Sequence, residues 1–270
     1  MNSSPTYRLR GDLHVHSHHT ECSTHHAGEI RGDPVSCGPQ SLFDMVEMTK
    51  NDIGMEYVAI VQHPTNPVSP HTIDARRAKE LLENQQRMDD LQSEGKLKDF
   101  HVLIGVEMSI MPNGKLEVPD YILSQLDIVI IARHGGLNEK DPQVIMRDFR
   151  SSLESSRVHI LSHPTRYVFP LTLDNWREVL TVAKKNNIAV EYNTSWQYDE
   201  NFIDLIGEVG AMVSLGTDIH PDVDGETGKL TARQHSQLTL GVNRLFSRGI
   251  KPGNILNLMS YSDLRSWLAR

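Results

Sequence analysis

Four histidines, His14, His16, His18 and His19, fall within six positions of the stretch GDLHVHSHH. His14 and His16 are two apart, so on a β-strand they project to one side. Two adjacent imidazoles on one face form a natural pair of metal ligands. GTDIH repeats the spacing with a carboxylate, Asp218 and His220. Between these pairs stand His63 after YVAIVQ, Glu107 at the end of HVLIGVE, His134 at the end of DIVIIARH, and His163 in VHILSHP. Imidazole with carboxylate suits Zn, Mn or Fe better than Ca or Mg. Three such groups would hold more than one ion, and one carboxylate can bridge two ions roughly 3.5–4 Å apart.

Taken singly, each residue has a plainer reading, since a lone histidine at a strand end is usually a capping or surface residue. The argument rests on their conjunction. Glu107 closes an apolar strand, where an unpaired carboxylate would be costly.

The elements that must position these residues alternate along the chain. Strands are expected over Arg8 to His14, Tyr57 to Gln62 and His101 to Glu107, then in DIVIIARH, VHILSHP, IAVEYN and AMVSLGTD. Helices are expected near Ser41 (with Asp44 completing an approximate capping box), over Asp74 to Ser93, Pro142 to Ser152, Leu173 to Asn186 and Asp199 to Val209. Further helical stretches fall at His235 to Ser247, Pro252 to Met259 and Ser262 to Ala269. Asn113-Gly114 carries a hairpin signal. About seven strand–helix alternations favour one parallel α/β domain over residues 1–270, a barrel. All the ligand types then lie at the C-terminal strand ends, which open on one face. The strand IAVEYN alone supplies none. The loop from Ser17 to Pro39 is the longest irregular segment, a length that tends to be functional.

Composition narrows the classes. The net charge of -8 argues against a dedicated nucleic-acid binder, which is usually basic. Two cysteines, Cys22 and Cys37, make no disulfide framework and fit a reducing cytoplasm. Residues Met1 to Arg10 carry no apolar leader segment, and no apolar run approaches membrane-spanning length.

In combination and order, DLHVHS, VQH, GVE, ARH, LSHP and GTDIH resemble the motifs of the polymerase and histidinol phosphatase (PHP) superfamily. The stretch from Gly105 to Asn138, with VHILSHPTR, looks most like the PHP domain of bacterial family X DNA polymerases, without room here for the polymerase part. The resemblance covers nearly the whole chain. It implies a distorted (β/α)7 barrel, TIM-like, with three divalent metal ions and hydrolysis of phosphate esters by a metal-bridging hydroxide. It assigns His14, His16, Glu107 and Asp218 to a first ion, and Glu107, His134 and His163 to a second. His63 and His220 go to a third, with one residue of the first loop: His25 first, with His26, His19, His18 and then Asp33 as fallbacks. One departure is Val61-Gln62-His63, where the family usually reads Thr-Asp-His. Gln62 can hydrogen-bond there but brings no charge.

Arg166 follows the fifth strand, and its guanidinium suits bidentate phosphate contacts. Alternation turns Arg133 away from His134, which favours a structural role. Asn193, Ser195 and Trp196 follow the sixth strand and can line a substrate pocket, with Trp196 stacking on a base or aromatic leaving group. His101 and His159 lie inside strands and read as structural. A phosphorylated small molecule is the leading substrate. Nucleic-acid end processing, as exonuclease or 3′-phosphatase, is the second reading, and a non-catalytic metal-binding domain the third.

Overall fold

In the computed structural model, the residues described are 7–16, 21–22, 35–36, 46, 49–50, 54–65, 72–134, 140–166, 169–195, 198–219 and 227–269. Among them, seven strands form one parallel sheet in chain order: β1 (Gly11–Val15), β2 (Tyr57–Gln62), β3 (His101–Ser109), β4 (Ile128–Ala132), β5 (Ile160–Leu161), β6 (Ala189–Asn193) and β7 (Val213–Gly216). Glu21–Cys22 and Val35–Ser36 pair separately as a short antiparallel ribbon. The helices are α1 (Ala75–Ser93), α2 (Asp120–Leu123), α3 (Pro142–Leu153), α4 (Leu173–Lys185), α5 (Glu200–Val209), α6 (Thr227–Ser247) and α7 (Tyr261–Leu268). The expected α/β barrel is the observed one.

The helices begin where the sequence supplies caps. Asp74 accepts from Arg77 N at 2.8 Å to start α1, and Asp141 followed by Pro142 starts α3. Gly210, left-handed at φ 68°, ends α5.

Strand alternation sorts side chains into two apolar layers. Tyr57, Ala59, Val61, Leu103, Ile128 and Ile130 fill the barrel, while Val58, Ile60, Val102 and Ile104 face the helices. Leu256, Leu264 and Leu268 join the inner layer. The register of β1 against β2 shifts between Asp12 and Val15, so Leu13 packs in the inner layer and Val15 in the outer one.

The barrel closes between β1 and β7 by other means than a full ladder. Asp218 N donates to His14 O at 2.9 Å and His16 N to Ile219 O at 3.1 Å. Deeper in the seam the buried Asn257 amide takes the place of strand pairing. Its Oδ1 accepts from Leu215 N at 2.6 Å, and its Nδ2 donates to Gly11 O and Leu215 O, each at 2.9 Å.

Four expectations are corrected. The turn at Asn113-Gly114 is left-handed at both residues but joins no hairpin; it lies in a short 3-10 turn, and the strands on either side, β3 and β4, run parallel. Its backbone is held instead by Asp148, which accepts from Asn113 N at 2.9 Å. β5 is two residues long, because the chain leaves the ladder at Ser162. Residues 252–259 form two 3-10 turns rather than a helix, and this irregular path carries Asn257 into the seam. α6 begins at Thr227, eight residues before the expected start. The helix expected near Ser41 lies largely outside the described residues. Among the described residues no helix is long and apolar enough to cross a membrane.

Candidate metal centre

The C-terminal ends of β1 to β5 and β7 deliver six of the expected side chains around Glu107. His14 Nε2, His16 Nε2 and His63 Nε2 lie 3.3, 3.4 and 3.3 Å from Glu107 Oε2. His163 Nε2 and His134 Nε2 lie 2.8 and 3.6 Å from Oε1. Asp218 Oδ1 is 3.2 Å from His16 Nε2 and 3.6 Å from His14 Nε2. All seven residues are buried. Donor atoms fall into two groups able to hold an ion, His14–His16–Glu107–Asp218 and His63–Glu107–His134. Glu107 belongs to both. His63 thus shares its group with His134 rather than standing apart. His25, His220 and Trp196 lie outside the described residues, as do His18, His19, His26 and Asp33.

The surrounding hydrogen bonds aim the rings. His14 Nδ1 faces Glu191 Oε1 at 2.7 Å, His63 Nδ1 faces the Glu107 carbonyl at 3.2 Å, and His134 Nδ1 faces Ser109 Oγ at 2.9 Å. With Nδ1–H turned outward, each neutral ring presents its Nε2 lone pair to the centre. Glu107 Oε1 and His134 Nε2 are buried and make no hydrogen bond. A convergent set of imidazole nitrogens and carboxylate oxygens, some without hydrogen-bond partners, fits divalent cations of the Zn, Mn or Fe type.

Electrostatics agree. Burial alone would push the His14 imidazole down, but the carboxylates of Glu191, Glu107 and Asp218 outweigh it and hold it well above its ordinary value. Burial would likewise raise Glu107, yet His14, His63 and His163 hold it well below the usual carboxylate range. Carboxylates and imidazoles in the cluster thus favour each other's charged forms.

The backbone is strained where it delivers ligands. His163 has φ 23° and Asp218 φ 50°, in the left-handed region that residues with a Cβ seldom occupy. Asp12 anchors the β1–β7 side. Its carboxylate accepts from His14 N at 3.1 Å, Thr217 N at 3.2 Å and Thr217 Oγ1 at 2.6 Å.

The residues considered for substrate contact are engaged within the protein. Arg166 Nη1 and Asn193 Nδ2 donate to Asp218 Oδ2 at 3.2 and 3.1 Å. Ser195 Oγ donates to the Thr217 carbonyl. Arg133 points outward, as alternation requires, and pairs with buried Asp148 at 3.3 Å over the Phe169 ring. His101 stacks on Tyr261, and His159 accepts from Val129 N. Sequence reasoning missed Glu191, because strand six was credited with no metal ligand. The signal available was a carboxylate inside an apolar strand, the same signal that marked Glu107.

No family model matches the chain. It is 26% identical over 272 residues to the DNA polymerase/3′-5′ exonuclease PolX of Bacillus subtilis, an alignment covering 97% of this chain and 41% of that protein. It is 27% identical over 180 residues to a probable phosphatase of Caldanaerobacter subterraneus, covering 62% of this chain and 65% of the relative. The chain therefore spans less than two thirds of the length of both. A probable phosphatase of Syntrophotalea carbinolica is 24% identical over 264 residues, 93% of each chain. Among solved structures, the histidinol phosphate phosphatase of Lactococcus lactis, complexed with zinc, L-histidinol and phosphate, superposes with a TM-score of 0.55 at 17% identity, over 90% of this chain and 95% of that one. The ordered strand-end motifs, the seven-stranded parallel barrel and these relatives agree with the resemblance to the polymerase and histidinol phosphatase superfamily.

Proposed function

We propose that the protein is a metal-dependent phosphoesterase acting on a phosphorylated small molecule, with residues 1–270 as one domain holding three divalent ions. The observation that carries this reading is the position of Glu107, whose two carboxylate oxygens face different sets of imidazoles. In this reading His14, His16, Glu107 and Asp218 hold one ion, and Glu107, His134 and His163 a second. His63 and His220, with His25 from the first loop, hold a third. Zn, Mn and Fe all suit the donors. When bound, such ions supply positive charge to the phosphoryl oxygens and lower the pKa of water towards neutrality.

The chain's own residues keep the centre ordered. Glu107 presents one oxygen to each side, and Asp218 is held with Oδ1 inward by Arg166 and Asn193 on Oδ2. Arg166 is only partly buried, so its other N–H groups can meet phosphoryl oxygens at the mouth. A low cysteine count agrees with a cytoplasmic setting.

A second reading, end processing of nucleic acid, is favoured by the alignment with a polymerase/3′-5′ exonuclease over 97% of the chain. The net charge of -8 weighs against it.

The test is elemental analysis of protein purified without chelator, together with hydrolysis of a chromogenic phosphomonoester and of a single-stranded oligonucleotide. Wild type and His134→Ala are compared. Two to three equivalents of Zn, Mn or Fe (the number expected of paired or triple sites), with phosphomonoester hydrolysis lost in the variant, supports the proposal. Preference for the oligonucleotide favours the second reading. No bound metal, and none taken up on adding Mn or Zn, sinks both.

A further inference from the structure

Glu191 sits on β6, the strand that sends no donor atom into the centre, yet its carboxylate touches two of the strands that do. Oε1 accepts from His14 Nδ1 at 2.7 Å. Oε2 accepts from Ser162 Oγ at 2.6 Å and from His163 N at 2.9 Å, with Asn193 Nδ2 at 3.4 Å. It faces the Nδ1 side of His14, whereas Glu107 and Asp218 face Nε2, so Glu191 is not itself a donor to the centre. The carboxylate is fully buried, and a buried charge is costly unless hydrogen bonds or an opposite charge compensate it.

Space for this group exists because residue 216 is glycine. A Cβ there would lie 2.3 Å from Glu191 Oε1 and 2.4 Å from His14 Cβ. β7 thus gives up a side chain where β6 and β1 bring theirs together. The hydrogen bond to His163 N also anchors the residue whose φ is 23°.

We propose that Glu191 is a positioning residue for the ion held by His14, His16, Glu107 and Asp218: it fixes His14 with Nδ1–H outward and Nε2 inward, strengthens that nitrogen as a donor, and ties the His163 backbone to the same point. The proposal rests on the metal-centre reading above. A carboxylate hydrogen-bonded to the far nitrogen of a ligating histidine makes the ring more basic and holds its orientation, and losing such a partner typically weakens metal binding about 10- to 100-fold.

The test measures zinc affinity rather than turnover. Zinc-loaded wild type and Glu191→Gln are titrated with a competing chelator of known affinity. Far-UV circular dichroism and thermal melts of the metal-free forms check folding. Long-range 1H–15N spectra of the zinc-loaded proteins follow the His14 Nδ1 proton. In wild type that proton is expected far downfield, beside a carboxylate. In the variant it moves upfield, and the zinc held by His14 weakens about 10- to 100-fold, more than any other site. Equal zinc affinities at every site in both proteins would overturn the proposal. So would uniform weakening of every site with a lower melting temperature of the metal-free variant, which would make Glu191 merely structural. Wild type that binds no zinc refutes the metal-centre reading instead, before the variant is considered. If Glu191→Gln does not fold, Glu191→Asp, with the charge kept one methylene further from His14, is judged by the same outcomes.

Discussion

His14 Nε2 lies 3.1 Å from His16 Nε2, and Glu107 Oε2 sits within 3.4 Å of both. Two imidazole nitrogens that close, both aimed at one buried carboxylate, make a pocket suited to a cation. Replacing a buried charged cluster with well-packed apolar residues is often neutral or stabilising, so stability alone does not account for it.

Glu107→Gln is expected to remove more metal than any single histidine substitution, because both donor groups share that residue. Loss of affinity should exceed the roughly 100-fold that marks the upper end for an outer hydrogen-bond partner. Metal per chain, measured at matched free metal for Glu107→Gln, His63→Ala and His14→Ala, checks it. Retention of full metal content in Glu107→Gln would contradict a shared ligand.

Arg133→Met is expected to destabilise the fold without touching the chemistry. It strips Asp148 of a buried partner at 3.3 Å, a change that typically costs about 3–5 kcal/mol. Arg147, 3.1 Å from the same carboxylate, places the expectation at the lower end. Denaturant unfolding reads the loss, and metal content and hydrolysis per folded molecule should stay at the wild-type level.

Asn257→Ala should open the β1–β7 seam. Three buried backbone groups, on Leu215 and Gly11, lose their partner together. At about 1–3 kcal/mol for each unsatisfied group, a loss of at least about 3 kcal/mol is expected. Amide exchange should quicken at Leu215 while Val102, in the centre of the sheet, stays protected.

Glu117 gives the fold a pH dependence of its own. Burial pushes its carboxyl from 4.5 up to about 7, against the hydrogen bonds from Thr65 and Ser109 N that lower it. Because the folded value is raised, the contribution to stability is full below pH 4.5 and is lost as pH rises through about 7. At about 1.4 kcal/mol per pH unit, the loss is on the order of 3 kcal/mol. Glu117→Gln, neutral throughout, should gain stability relative to wild type between pH 4.5 and 8. Denaturant melts of the metal-free proteins across that range measure it, and a constant difference would show that Glu117 is ionised in the fold at all of them.

Much of this was legible in the residues. YVAIVQ forms β2 with the expected bounds, since five consecutive apolar residues closed by Gln62 suit a strand buried on both faces. Histidines and carboxylates at successive strand ends were enough to place His14, His16, His63, Glu107, His134, His163 and Asp218 together, because a parallel barrel opens all those ends on one face. Arg133 was readable as outward-facing from alternation alone.

Other features depended on contacts distant in sequence. Asn113-Gly114 has the left-handed turn its residues favour, but whether such a turn joins a hairpin depends on what the flanking strands pair with. Asn257 looks like any loop asparagine until the barrel leaves three backbone groups in its seam without partners. Glu191 is a lone carboxylate in a strand, and its role appears only where His14, Ser162 and His163 come within hydrogen-bonding distance. Strand and helix patterns follow from local periodicity. Which polar group satisfies which buried partner follows from packing between residues up to 246 positions apart, as in the bond from Asn257 to Gly11.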